Sequence, residues 1–223
     1  GTAGLRIGGV DEPNQEHATT PDAPILQRAL RAMRLAGDEA AVIETTSHGL
    51  ALERVGSVAY DVAILTNLTH EHLEFHGTWE AYRDAKLSLF ERLAITSLNP
   101  LKRWPKTALV NADDASADRF AAAGRAAGAA VLTYGSKPGA DVRATGIEDD
   151  GEGLSIVFDA PSGRATLSLR LSGRFNVHNA LAVVAMGEAL GLDPKAVREG
   201  LASVRAVPGR MERVDLGQPF GVI

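Results

Sequence analysis

Short apolar runs alternating with stretches of helical period constrain this chain more than any other feature. After Thr20-Pro21, the residues Ile25, Leu26, Ala29, Leu30, Met33 and Leu35 recur at helical spacing. This predicts a helix opened by a hydroxyl N-cap and a proline and stopped at Gly37. Ala40 to Ile43 reads as a short buried strand and Tyr60 to Leu65 as another. Thr78 caps a predicted long helix through Leu93, Thr107 to Val110 reads as a strand, Asp114 to Ala127 as an Ala-rich helix, and Ala130 to Tyr134 as a further strand. Such a βαβα rhythm predicts an α/β fold with a mostly parallel sheet flanked by helices.

After Gly139 the rhythm changes. Val142 to Ile147, Leu154 to Phe158 and Ala165 to Leu171 follow closely, joined by Asp149-Asp150-Gly151 and Pro161-Ser162-Gly163. These links are turn chemistry, so residues 141–171 are expected to form a small antiparallel sheet. Helices are predicted over Asn176 to Leu190 and Pro194 to Val204, with terminal strands at Arg213 to Leu216 and Phe220 to Ile223. Without an internal repeat or a low-complexity linker, a single α/β domain with a β excursion is the simplest expectation.

Composition narrows the function classes. The 223 residues suffice for a buried core, and 45% hydrophobic with 23% charged residues is ordinary globular usage, which excludes disorder and coiled coil. With 23 Lys and Arg against 28 Asp and Glu, the chain carries no basic footprint for nucleic acid. The absence of Cys removes disulfide and thiolate chemistry. No leader or membrane-spanning run is visible, and a cytoplasmic location is expected. The chain opens without Met and reads as a piece of something longer.

Candidate chemistry gathers at predicted strand ends, where open α/β sheets bind ligands. His70, Glu71, His72, Glu74 and His76 crowd into the segment after the strand ending near Leu65, a composition suited to metal or phosphate; a polar loop with chance histidines is the plain alternative. Glu44 is expected to project from the tip of the earlier strand, followed by Thr45, Thr46, Ser47 and His48. Its carboxylate is a natural hard ligand for Mg²⁺, while the hydroxyls could equally cap the next helix. Lys86 falls on the apolar stripe of Trp79, Tyr82, Leu89, Phe90 and Leu93. Desolvation would lower its pKa and leave a reactive neutral amine, although a snorkelling lysine is the commoner outcome of such spacing. Asn176 and Asn179 at a helix start could read a base edge or cap the helix, and Arg210 beside a Pro-Gly turn could meet phosphate or pair with Glu212.

Taken in order, the stretches ATTPDAPILQRAL, ETTSHGLALERV, YDVAILTNLTHEHLEFHGTWEAYRDAKLSLF, VNADD, SGRFNVHNALA and VPGRMERV resemble the Mur ligase family, and within it the MurE type. The resemblance spans nearly the whole chain. It implies the family's central ATPase domain, in an enzyme that uses ATP to add a third amino acid, diaminopimelate or lysine, to UDP-N-acetylmuramoyl-L-alanyl-D-glutamate in peptidoglycan synthesis. Glu44, His72 and Lys86 match the catalytic and Mg²⁺ positions, with Lys86 carbamylated by CO₂ in the intact enzyme and turned towards Glu44 and His72. Asn179 matches a residue near adenine and Arg210 one near the phosphates. Thr19, Thr20, Thr46 and Arg54 match the residues that hold the UDP-sugar dipeptide.

The sequence also departs from the pattern. Thr46 stands where Ser is usual, Leu52 where Gln is common, and Glu71 and Glu74 where Asp is usual. No G-x-x-x-x-G-K-[ST] motif occurs in the sequence. The resemblance places that motif just ahead of Gly1, and the UDP-binding and amino-acid-binding domains outside residues 1–223. It follows that this piece by itself is expected to be inactive, to carry little or no carbamate, and to expose a sheet edge that favours self-association. Another family member, a folylpolyglutamate synthetase or a MurT-like partner, is the alternative within the fold; a non-catalytic binding module is the alternative outside catalysis.

Overall fold

The computed structural model describes residues 1–14, 18–69, 73–95, 104–151, 153–207, 217–218 and 220. It divides into two compact units, Gly1–Ala59 with His70–Leu89, and Tyr60–Thr69 with Phe90–Ile223.

The first unit begins with a hairpin of β1 (Leu5–Ile7) and β2 (Val10–Glu12). Helix α1 (Ala23–Ala36) follows. Its N-cap is Asp22, with Pro24 in the first turn, rather than Thr20-Pro21. The Thr20 hydroxyl is engaged elsewhere, by Glu44 and Thr46, and so does not serve the helix. Gly37 ends α1 as expected, at φ 90°, where a side chain would be strained. The expected buried strand over Ala40 to Ile43 does not form. These residues are not in a strand, and Val42 is 84% exposed. A strand exists only through a hydrogen-bonded neighbour, and no described segment pairs with this one. Helix α2 (Ser47–Ala51) comes next, and α3 (Leu73–His76) and α4 (Trp79–Glu91) lie further along the chain.

The second unit is built on one six-stranded sheet in the order β3-β4-β5-β6-β7-β8. Strands β3 (Val62–Leu65), β4 (Thr107–Asn111) and β5 (Ala130–Gly135) are parallel. β4 is buried at every residue, which is the pattern of a strand covered on both faces. Ala108 faces helix α5 (Ala117–Ala126), where a Cβ added at Gly124 would lie 2.5 Å from the Ala108 Cβ. The next residue, Leu109, points to the opposite face and joins the main core with Val177, Leu181 and Val184 of helix α6 (Phe175–Leu190). α6 is apolar nearly all round because the sheet takes one side and α7 (Pro194–Ser203) another; a Cβ at Gly187 would lie 2.8 Å from Val197.

The three runs after Gly139 are β6 (Val142–Asp149), β7 (Leu154–Ala160) and β8 (Gly163–Leu169), an antiparallel meander as expected. They do not form a separate sheet. β6 pairs in parallel with the end of β5 through Tyr134↔Val142 and Gly135↔Arg143. Parallel neighbours usually need a long crossover. Here the loop turns back within a few residues because Asp141 clamps it: its carboxylate accepts from the Thr133 N–H at 2.7 Å and the Thr133 hydroxyl at 2.6 Å. Only two residue pairs therefore join β5 to β6, and the rest of β6 runs on to pair with β7. The expected terminal strands lie outside the described residues except Phe220, which is not in a strand.

Candidate functional site

In the first unit the structure brings together Thr19, Thr20, Glu44, Thr46 and Arg54. Thr20 is 1% exposed, and its hydroxyl donates to the Glu44 carbonyl at 2.9 Å while accepting from the Thr46 N–H at 2.9 Å. Its one hydrogen is thereby used. In the 3.1 Å contact between the two hydroxyls, Thr46 must be the donor. The Thr46 hydroxyl in turn accepts from the Gly49 N–H at 3.0 Å and so caps α2. The helix-capping reading of this run is thus realised, and the same hydroxyls bind the cluster together. Gly49 is required for the approach: a Cβ there would lie 2.8 Å from the Thr20 Cβ.

Glu44 is oriented by Thr2 rather than by a strand tip. Its Oε2 accepts from the Thr2 N–H at 2.8 Å and the Thr2 hydroxyl at 3.1 Å. The Thr19 hydroxyl lies 2.9 Å from that of Thr2. Arg54 donates from Nη1 to the Thr20 carbonyl at 2.9 Å, and its Nε lies 3.0 Å from Asp22 Oδ1. Fixed by these two contacts, the guanidinium keeps further N–H donors for an anion.

Elsewhere in this unit, half-buried Lys86 places its Nζ 5.3 Å from the centroid of the buried Tyr82 ring, a cation–π contact. The His76 ring lies 5.5 Å from Tyr82, and His48 stacks on Phe75 at 4.1 Å. His70, Glu71 and His72 lie outside the described residues, as do Arg210 and Glu212. Glu44 offers Mg²⁺ one hard carboxylate, but no three of the described His, Asp and Glu residues form a group that could hold a metal ion.

In the second unit, the carboxyl ends of the parallel strands are joined by the polar residues of VNADD. The Asn111 amide donates to the Thr66 carbonyl at 2.7 Å, and Asp114 accepts from the Leu68 N–H at 2.7 Å. The buried Tyr134 hydroxyl donates to the Leu65 carbonyl at 2.7 Å. Burial, and after it the charge of Asp114, push that hydroxyl above the ordinary tyrosine range.

Asp113 is the hub of this edge. Its Oδ2 accepts from the Ser136 N–H at 2.7 Å and lies 2.8 Å from His178 Nε2, while Oδ1 accepts from the Lys137 N–H at 2.9 Å. Burial alone would raise the Asp113 carboxyl. The bonds from His178, Ser136 and Lys137 and the nearby imidazole charge outweigh it and hold the group below its ordinary value. Sequence reasoning missed the Asp113–His178 pair; the only signal for it was that VNADD and SGRFNVHNALA both belong to the resembling stretches. One residue after His178, Asn179 is exposed, and its Nδ2 donates to Asn176 Oδ1 at 3.1 Å.

A model of the Mur ligase middle domain matches residues 1–187. A UDP-N-acetylmuramyl-tripeptide synthetase from Roseiflexus sp. (strain RS-1) is 43% identical over 227 residues, covering all of this chain and 44% of that protein. A UDP-N-acetylmuramoyl-L-alanyl-D-glutamate--2,6-diaminopimelate ligase from Bacillus velezensis is 40% identical over 223 residues, again covering all of this chain and 44% of that protein. A solved structure of a ligase of the latter name superposes with a TM-score of 0.80 at 30% identity, over 96% of this chain and 42% of that one. The chain thus spans less than half the length of these relatives. Among the described residues no helix is long and apolar enough to cross a membrane. With a family match over most of its length and relatives about 40% identical across it, this chain belongs to the Mur ligase family, and its residues 1–187 match the model of that family's middle domain.

Proposed function

We propose that this chain is the central domain of a MurE-type ligase. The enzyme uses ATP to join a third amino acid, diaminopimelate or lysine, to UDP-N-acetylmuramoyl-L-alanyl-D-glutamate in the cytoplasm. ATP would phosphorylate the terminal carboxylate of the dipeptide, and the incoming amine would displace phosphate from that acyl phosphate to form the amide. The observation that carries this reading is the assembly of Thr20, Thr46 and Arg54 into one hydrogen-bonded cluster, to which Thr19 is joined through Thr2 and Glu44. Arg54 offers a fixed guanidinium to an anionic group of the UDP-linked substrate, and the Thr19 hydroxyl, held against that of Thr2, offers a second polar group.

Glu44, His72 and a carbamylated Lys86 are the proposed Mg²⁺ ligands, and the metal would supply charge neutralisation on the phosphates. Glu44 fits as a hard oxygen donor held by Thr2. Lys86 is half-buried beside the Tyr82 ring in the same unit. Asn179 is assigned to adenine and Arg210 to the phosphates.

The test is Arg54→Ala in the ligase that carries this chain. The Michaelis constant for the UDP-linked substrate should rise by an amount corresponding to roughly 1.5–3 kcal/mol, the value of a charge-assisted hydrogen bond, with that for ATP little changed. An equal rise for both would refute the assignment.

A further inference from the structure

Helix α2 ends on a residue in an uncommon conformation. Glu53 follows the helix at φ 56°, and among the described residues no other non-glycine has a positive φ. A Cβ is crowded in this left-handed region, so glycine is its ordinary occupant. The Glu53 N–H donates to the Leu50 carbonyl at 3.1 Å, and the Arg54 N–H donates to the Gly49 carbonyl at 2.9 Å. This is the Schellman pattern of helix ends, with Glu53 where the chain reverses and Arg54 one residue beyond. Downstream, the Gly56 N–H donates to the Glu53 carbonyl at 3.0 Å, and Val55 is fully buried. The Glu53 carboxylate lies over Gly56, where an added Cβ would meet its Oε2 at 2.9 Å.

The reversal closes a ring of hydrogen bonds. The Thr46 hydroxyl donates to that of Thr20 at 3.1 Å and accepts from the Gly49 N–H at 3.0 Å. The Gly49 carbonyl accepts from the Arg54 N–H, and Arg54 Nη1 returns to the Thr20 carbonyl at 2.9 Å. Arg54 is thereby gripped at its backbone by α2 and at its guanidinium by Thr20 and Asp22. A negative φ at residue 53 would carry the Arg54 N–H away from Gly49 and open the ring.

We propose that Glu53 is a positioning residue for the UDP-linked substrate: its left-handed backbone, rather than its carboxylate, sets where Arg54 presents the guanidinium. The proposal rests on the reading above that Arg54 meets that substrate. A non-glycine held in this region is strain stored beside a binding group. The ring on one side, and buried Val55 with the Gly56 bond on the other, over-determine the chain and keep it there.

The test uses the ligase that carries this chain, with KM for the UDP-linked dipeptide and for ATP measured on each preparation. Glycine and asparagine enter the left-handed region readily, so Glu53→Gly and Glu53→Asn should keep the KM for the UDP-linked substrate within about threefold of the parent. Proline fixes φ near about −65° and lacks the N–H given to Leu50. Glu53→Pro should therefore raise that KM at least about tenfold, with the KM for ATP within about threefold. On an Arg54→Ala background the same proline should add less than about threefold, because the group it misplaces is gone. If the proline variant does not fold, β-branched Glu53→Val takes its place, with a rise of at least about threefold. A proline variant, or the valine variant in its stead, with the parental KM overturns the inference and leaves the Arg54 reading standing. The same holds for an equal rise for ATP, a glycine or asparagine variant that behaves like proline, or a full proline effect without Arg54. Arg54→Ala with no rise in KM for the UDP-linked substrate overturns that reading and the inference with it.

Discussion

Replacing Asp113 with Ala probes the edge where the parallel strands end. The carboxylate accepts two backbone N–H groups, from Ser136 and Lys137, and meets His178 Nε2, with distances between 2.7 and 2.9 Å. At a net contribution of about 1 kcal/mol per bond, its loss costs about 3 kcal/mol. The side chain is 21% exposed, so water reaches part of the gap, and about 2 kcal/mol is the lower bound. The cost should depend on pH in a definite direction. Asp113 is held below its ordinary value of 3.8 in the folded chain. The stability this adds is full above that value and is lost as pH falls through the lower folded value. Urea unfolding of the purified chain and its Asp113→Ala variant, at neutral pH and at steps towards pH 3, reads both quantities. The gap between the two should be about 2–3 kcal/mol at neutral pH and should narrow on acidification. A variant within about 0.5 kcal/mol of the parent, or a gap that does not narrow, would refute this account of the hub.

Two further outcomes are expected for the same unit. Gly124→Ala should destabilise by about 1–3 kcal/mol in thermal or urea unfolding, although alanine is the better helix former, because its Cβ would lie 2.5 Å from that of Ala108. Tyr134→Phe should cost roughly 1–2 kcal/mol by removing the buried hydrogen bond to the Leu65 carbonyl, and in an ultraviolet alkaline titration the tyrosine it removes should be one that ionises above the ordinary tyrosine range.

The α/β rhythm was legible because its strands are short apolar runs, the central one buried on both faces, and its helices carry regular stripes. Thr107–Asn111 illustrates the first, with every residue buried. Ala40 to Ile43 looked alike in sequence but is not in a strand, with Ala40 to Val42 exposed, because apolar composition does not supply a pairing partner. The continuity of β6 with β5 was hidden as well: it depends on the Asp141 clamp at Thr133, a contact that follows from loop geometry and not from periodicity. Among site residues, Thr20 was seen as a helix cap and as a family position. The structure spends its hydroxyl on Glu44 and Thr46, a role that only the meeting of two loops reveals. Asp113 and His178 stand 65 residues apart and carry no local signature, so nothing short of the fold joins them.

The claim that this chain belongs to an amide-forming ligase acting on a UDP-linked muramoyl dipeptide is tested most directly by product formation. The ligase that carries this chain should be incubated with ATP, Mg²⁺, UDP-N-acetylmuramoyl-L-alanyl-D-glutamate and either diaminopimelate or lysine, with phosphate and product mass followed together. The account predicts one phosphate released per UDP-linked tripeptide formed, with one of the two amino acids strongly preferred and no phosphate released when the UDP-dipeptide is omitted. Phosphate release that does not depend on the UDP-dipeptide, or no tripeptide with either amino acid, would contradict it.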